Sequence, residues 1–240
     1  MKKKLLSLFA VVFTAFLLVG CSSSSNSSKK TTTLKIGASA VPHAQILRHV
    51  APELKKEGVN LKITTFQDYT MPNKALANGE LDANYFQHVP FLKLWNKQNH
   101  GTLVNAGGVH LEPIAVFSKK VKRLQDLKKG ATIIVSSNVP DYGRILQIFK
   151  DAGLITLKKG IDITSANFSD IASNPRHLKF KHSYEPKLLP TIYKNGEGDA
   201  VVINANYAVG AGLNPIKQSI AIEKRNSPYV KDRKSTRLIS

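Results

Sequence analysis

Seven side chains in this sequence have the types and placing of a small-molecule pocket: Tyr69, Asn73, Phe86, His88, Glu112, Arg144 and Asn204. They fall at or near junctions where strand-like runs give way to loops. In open α/β sheets ligands bind beyond the carboxyl ends of the strands, so such junctions are the places to look. Arg144, in the first turns of a predicted helix, suits a two-pronged contact with a carboxylate. Glu112 and the asparagines offer oxygen acceptors to an ammonium group. Tyr69 and Phe86 can wall an apolar, polarisable side chain. Together these meet the needs of an amino-acid ligand. Each residue also has an ordinary reading. Tyr69 and Phe86 read equally as core aromatics, Arg144 as a solvated helix residue, His88 as a hydrogen-bonded core histidine and Asn204 as a turn residue.

Bond-breaking chemistry has no comparable footing. The chain has no G-x-S-x-G, no H-E-x-x-H, no phosphate-binding P-loop and no dinucleotide-binding glycine pattern. His43, His88 and His110 are not at zinc-ligand spacing, and His100, His177 and His182 lie in polar, loop-like stretches. No enzyme activity, metal or cofactor is expected. Cys21 is the one cysteine, which rules out disulfides within the chain. It follows Lys2, Lys3 and Lys4 and an uncharged apolar run over residues 5–18, the layout of a cleaved export signal. The run falls short of the roughly 20 residues a membrane-spanning helix needs. Its end, Leu18-Val19-Gly20-Cys21, resembles a bacterial lipobox, in which the cysteine becomes the lipidated first residue. Residues 1–20 are therefore expected to be removed, and lipid on Cys21 to hold the protein at the extracytoplasmic face of the cell membrane.

The elements that must place the seven residues follow from periodicity. Residues 21–33 are serine-rich and polar, which predicts a lipidated, disordered tether. Residues 34–38 read as a strand, 42–56 as a helix stopped by Gly58, and 60–66 as a second strand, together a parallel α/β unit. A short helix over 72–78, a strand-like run over 82–86 and a helix over 89–98 follow. Buried strands are predicted at 114–118, 131–135 and 199–203, with a helix over 141–152 between the last two. Two phrases of the form Asn-Gly-Glu-x-Asp-Ala, at 78–83 and 195–200, each end a helix and enter a strand. A matching element in each of two lobes would produce that echo, and so would like turn chemistry alone.

The formal net charge is +19. Five lysines lie in the signal and tether, a basic cluster fills residues 231–237, and the rest are scattered singly or in pairs. Scattered charge on an exported chain is a poor nucleic-acid footprint, so no nucleic-acid partner is expected. Unspecific attraction to anionic cell-surface components remains.

Several stretches carry a family likeness. They are Asp68-Tyr69-Thr70-Met71-Pro72-Asn73, Ala75 through Phe86-Gln87-His88-Val89-Pro90, Gly37 to His43, His110-Leu111-Glu112-Pro113 and Ile203 to Ala208. From about Leu34 to Tyr229 the chain resembles the NlpA family, the methionine-binding lipoproteins of ABC importers. The resemblance implies an α/β, two-lobed periplasmic-binding-protein (type II) fold that closes on its ligand about a hinge. It implies that Tyr69, Phe86, His88, Arg144 and Asn204 contact methionine, with Arg144 on the carboxylate. L-methionine or a close relative would be delivered to a membrane permease by a monomer. Alternatives are the same fold binding a methionine dipeptide or another amino acid, a surface adhesin, or a hydrolase. The expected lobes are 34–116 with 205–230, and 117–204.

Two departures from the family stand out. Tyr142 replaces a usually smaller or acidic residue two places before Arg144, which is expected to alter the pocket rim. After Ser227-Pro228-Tyr229-Val230 the family continues with an asparagine, a strand and a helix, whereas residues 231–240 here have no such pattern. This tail reads as a truncation or a frame or assembly error. It is expected to weaken both stability and affinity.

Overall fold

The computed structural model describes residues 31–225 together with Ser227 and Tyr229. The export signal, Cys21, nearly all of the tether and the 231–240 tail lie outside the described residues.

The first sheet grows from the predicted parallel unit. Strand β1 (Thr32–Ser39) runs through a bent turn at Ala40–Ala44 into helix α1 (Gln45–Lys56), and β2 (Val59–Phe66) returns alongside β1. Gly58, at φ 89°, makes the tight reversal between them. Helix α2 (Met71–Ala77) then leads to β3 (Ala83–Tyr85), giving a parallel sheet in the order β2-β1-β3, and α3 (Val89–Asn99) follows. This lobe is thinly cored. None of the α1 residues is fully buried, although Ile46, Val50 and Leu54 recur at helical spacing.

Residues 101–113, without helix or strand, cross to the second sheet. Its elements are β4 (Ile114–Phe117), β5 (Thr132–Ser136), α4 (Tyr142–Asp151), a small β6 (Thr156–Leu157) and β7 (Ile171–Ser173) hairpin-like pair, and β8 (Lys179–Tyr184). They are followed by α5 (Leu189–Lys194), β9 (Ala200–Asn204), α6 (Ala205–Gly210), α7 (Pro215–Gln218) and β10 (Ala221–Ile222). The order is β10-β4-β9-β5-β8, with β5 parallel to β8 and β9, and β4 antiparallel to β9 and β10. Every residue of β4 and of β9 is buried. Continuous apolar runs of this kind mark strands covered on both faces. Both buried hydrophobic clusters belong to this lobe, one around Ile133, Ile145 and Phe149, the other around Phe117, Leu189 and Ile203. Each such side chain is worth about 1.5–3 kcal/mol of burial.

β4 and β10 are strands of the second sheet, joined by main-chain pairing. Of the expected 205–230 return, α6 faces the first lobe: the Tyr207 hydroxyl donates to the Gln67 carbonyl at 3.1 Å.

The echoed phrases are the same structure built twice. Gly79 and Gly196 sit at φ 76° and 75°. Glu80 donates its amide to the Ala75 carbonyl at 3.0 Å, and Glu197 donates to Ile192 at 3.1 Å. Asp82 and Asp199 then each accept an amide from the neighbouring strand, Lys35 of β1 or Thr132 of β5, both at 2.7 Å. Each also returns its own amide to that residue's carbonyl, at 2.9 and 2.8 Å. Thus α2–β3 beside β1 corresponds to α5–β9 beside β5. Gly79→Ala and Gly196→Ala, placing a side chain in left-handed backbone, should each lower stability by about 1–2 kcal/mol. The turns lie in separate lobes, so the losses should add in the double variant, as read by urea unfolding. No loss in either variant would contradict this reading of the turns.

Candidate ligand-binding site

A cavity of about 710 Å³ takes Tyr69, Phe86 and His88 from the first lobe, Glu112 from the crossing segment, and Arg144 and Asn204 from the second lobe. Six of the seven sequence-derived residues therefore converge. Asn73 does not line the cavity. It is fully buried, accepting from Asn84 and Gln87, both at 2.8 Å, and donating to Gln87 at 2.9 Å. This amide cluster holds the segment after β3 that carries Phe86 and His88.

The polar end is organised by a residue the sequence reading passed over. Asp141, fully buried beside the start of α4, accepts from His88 Nε2 at 3.0 Å, Asn138 Nδ2 at 2.6 Å and Asn204 Nδ2 at 2.9 Å. His88 Nδ1 accepts the Phe91 amide at 3.2 Å, capping α3, which leaves Nε2 to carry the proton given to Asp141. Burial alone would raise the Asp141 pKa. The His88 hydrogen bond, the Arg144 charge and the Asn204 amide overcome it and hold the carboxyl well below the usual carboxylate range. An acid at a helix start reads from sequence as a dipole partner, and that hid its wider role.

Arg144 is nearly saturated. Its Nε donates to Glu223 at 3.0 Å, and its Nη2 donates to Glu223 and to the Glu112 carbonyl, the latter at 2.7 Å. Burial would lower its pKa, but Glu223 and Asp141 more than compensate, so the charge is secure. The expected two-pronged fork is thus taken by Glu223. Nη1, with a single long contact of 3.5 Å to Asp141, is the nitrogen with donors to spare. Glu112 reaches this network through its main chain. Its carboxylate turns to His110, at 3.1 Å. Asn204 Oδ1 is buried without a hydrogen-bond partner among the described residues. An unmatched acceptor on a cavity wall is a place for a donor from outside the chain.

The apolar end is aromatic. Ring centroids of Tyr69 and Phe86 lie 6.1 Å apart, and Phe91 stands 6.1 and 5.8 Å from them. The Tyr69 hydroxyl donates to Asn206 at 2.6 Å, and burial pushes the phenol well above its ordinary pKa. Tyr229 closes the polar end, 5.6 Å from the Arg144 guanidinium and 6.0 Å from the His88 ring. Phe91 and Tyr229 were not among the expected residues, because a lone aromatic on a helix or after a strand carries no signal of its own. Tyr142 is not on the cavity wall. It packs on Phe168 at 4.7 Å, with its hydroxyl 3.3 Å from His182.

Gly143 explains how Arg144 is delivered. A Cβ there would lie 1.7 Å from the Ile163 carbonyl oxygen and 2.5 Å from the Tyr229 hydroxyl. Only glycine lets the Ile163 segment cross the first turn of α4. Gly143→Ala should therefore lose ligand binding and cooperative unfolding together, as seen by calorimetry and circular dichroism. Asp141→Ala should cost about 3–5 kcal/mol, because it strands buried donors and a charge. The sign with pH follows from the depressed Asp141 pKa. Its contribution is full above the unfolded carboxylate pKa, near 4, and fades as pH falls towards the folded value. Asp141→Asn should flatten that acid limb of stability, and an unchanged limb would contradict the assignment.

Known proteins are similar to this chain in sequence and fold. The methionine-binding lipoprotein MetQ of Bacillus subtilis is 45% identical over 231 residues, 95% of this chain and 84% of that one. The crystal structure of a pheromone cOB1 precursor/lipoprotein of the YaeC family from Enterococcus faecalis is 56% identical, with a TM-score of 0.78 over 80% of each chain. A nutrient binding protein from Burkholderia cenocepacia, solved bound to methionine, is 38% identical, with a TM-score of 0.74 over 85% of this chain and 87% of that one. The NlpA lipoprotein family matches residues 34–231, nearly all of the folded body just described. With its two α/β lobes, its shared cavity and these relatives, the chain belongs to the NlpA lipoprotein family.

Proposed function

We propose that this protein is a lipid-anchored solute-binding protein that captures L-methionine, or a close relative, between its lobes and hands it to an ABC importer. It performs no bond-breaking chemistry. The observation that carries the reading is the pairing, within one cavity, of a buried unmatched acceptor and a secured cation with an aromatic wall. Asn204 Oδ1 takes the ligand ammonium, Arg144 Nη1 takes the carboxylate, and Tyr69, Phe86 and Phe91 receive the thioether. The Bacillus subtilis relative and the methionine-bound Burkholderia cenocepacia structure support the choice of ligand. Delivery to a permease and anchoring through Cys21 rest on the family resemblance and the lipobox. No helix among the described residues is long and apolar enough to cross a membrane.

One observation favours a second reading. Residues 102–112 line the cavity in addition to the aromatic wall, and so broad a lining would suit a methionine dipeptide.

Calorimetric titration of the purified protein with L-methionine, D-methionine and Gly-Met separates these readings. L-methionine should bind well below millimolar, that is, with more than about 4 kcal/mol. Asn204→Ala should weaken it roughly ten- to hundredfold, the worth of one hydrogen bond to a charged group. Preference for Gly-Met would establish the dipeptide reading. Absence of binding by all three would end both.

A further inference from the structure

At the mouth of the crossing segment two histidines and a carboxylate meet from distant parts of the chain. His43 lies in the turn after β1, Tyr85 ends β3, and His110 and Glu112 lie on the crossing itself. His43 is 4% exposed, and its Nδ1 has no hydrogen-bond partner among the described residues. Its Nε2 comes no closer than 3.9 Å to Glu112 Oε2. His110 Nε2 is 3.1 Å from Glu112 Oε1, and its Nδ1 is 2.5 Å from the Tyr85 hydroxyl. The His43 ring centroid stands 4.9 Å from that of His110 and 4.7 Å from that of Tyr85.

We propose that His43, His110 and Glu112 form a binding site for a divalent transition-metal ion of the zinc class, with Tyr85 orienting His110. One ligand atom from each of the three lies within 4.8 Å of the others. Imidazole and carboxylate atoms around zinc sit about 2.0–2.2 Å from the ion, which puts them about 3.3–3.6 Å from one another. The crossing segment has no helix or strand to hold it back from the shift of roughly 1 Å that closes this gap. Two nitrogens and one oxygen suit zinc, cobalt, nickel or copper rather than calcium or magnesium. The Tyr85 contact to the other His110 nitrogen is the outer partner that metal-bound histidines usually have.

The site would act on the cleft through one residue. Glu112 offers its carboxylate to the ion while its carbonyl accepts from Arg144 at 2.7 Å. The ion would thus pin the crossing segment, and with it the carbonyl that helps orient the cation. His110 and Glu112 are two residues apart, but His43 precedes them by a long stretch of chain, so no short-spacing motif announces the set.

The test is zinc titration of the untagged full-length protein, stripped with chelator and dialysed, followed by calorimetry and thermal unfolding. One zinc per chain should bind and raise Tm. His110→Ala and Glu112→Gln should each weaken zinc at least about tenfold and abolish the Tm rise, while Tyr85→Phe should weaken it about tenfold. His100→Ala, away from the cluster, should leave it unchanged. Circular dichroism identifies any variant that fails to fold, and the near-isosteric Glu112→Gln then decides. Cobalt in place of zinc should give the visible absorption of a low-symmetry nitrogen and oxygen site. No saturable zinc binding in the wild-type protein, or binding undiminished by His110→Ala and Glu112→Gln, overturns the proposal. His43, Tyr85, His110 and Glu112 line the same cavity as the proposed methionine site, so each zinc-free variant is also titrated with L-methionine, and loss of zinc with methionine affinity retained assigns the loss to the metal site.

Discussion

A single buried carboxylate sets the geometry of the cleft. Taking Asp141 out of water costs several kcal/mol unless its oxygens are matched. Here the match comes from His88 in one lobe, Asn138 beside it and Asn204 at the end of β9, with the Arg144 charge close by. Meeting that demand points the rest of the wall. Asn204 must turn Nδ2 to Asp141, which leaves Oδ1 buried without a partner among the described residues. His88 must direct Nε2 inward, so its ring stands between the aromatic and polar ends. In the proposed site, recognition uses the parts of these side chains that Asp141 does not.

Arg144 follows the same logic. A guanidinium this deeply placed needs permanent counter-charge, and Glu223 supplies it from the segment after β10. That pairing ties the return of the chain to the start of α4. It also means that the cation is positioned before any ligand arrives. A preformed cation and acceptor lower the ordering cost of binding.

Much of this was legible in the sequence, for identifiable reasons. The buried strands β5 and β9 were readable because Ile133-Ile134-Val135 and Val201-Val202-Ile203 are runs that only doubly covered strands produce. Six pocket residues were readable because strand ends are where α/β cavities form. A buried asparagine bound to other amides, as Asn73 is, and one facing a ligand look alike in sequence. Asp141, Glu223, Phe91 and Tyr229 were hidden because their roles depend on partners far away in the chain, as with Arg144 and Glu223. β10 was hidden for the same reason: it is two residues long, and only its pairing with β4 reveals it. The echoed Asn-Gly-Glu-x-Asp-Ala phrases hinted at the doubling of the fold, which their matched hydrogen bonds make plain.

The central claim is that one amino acid is held by Asn204 Oδ1 and Arg144 Nη1 with its side chain among Tyr69, Phe86 and Phe91. A crystal structure grown with saturating L-methionine tests it most directly. The account predicts the ammonium within hydrogen-bond distance of Asn204 Oδ1, a carboxylate oxygen on Arg144 Nη1 and the sulfur between the aromatic rings. An empty cleft, or a ligand that leaves Asn204 Oδ1 without a donor, would contradict it.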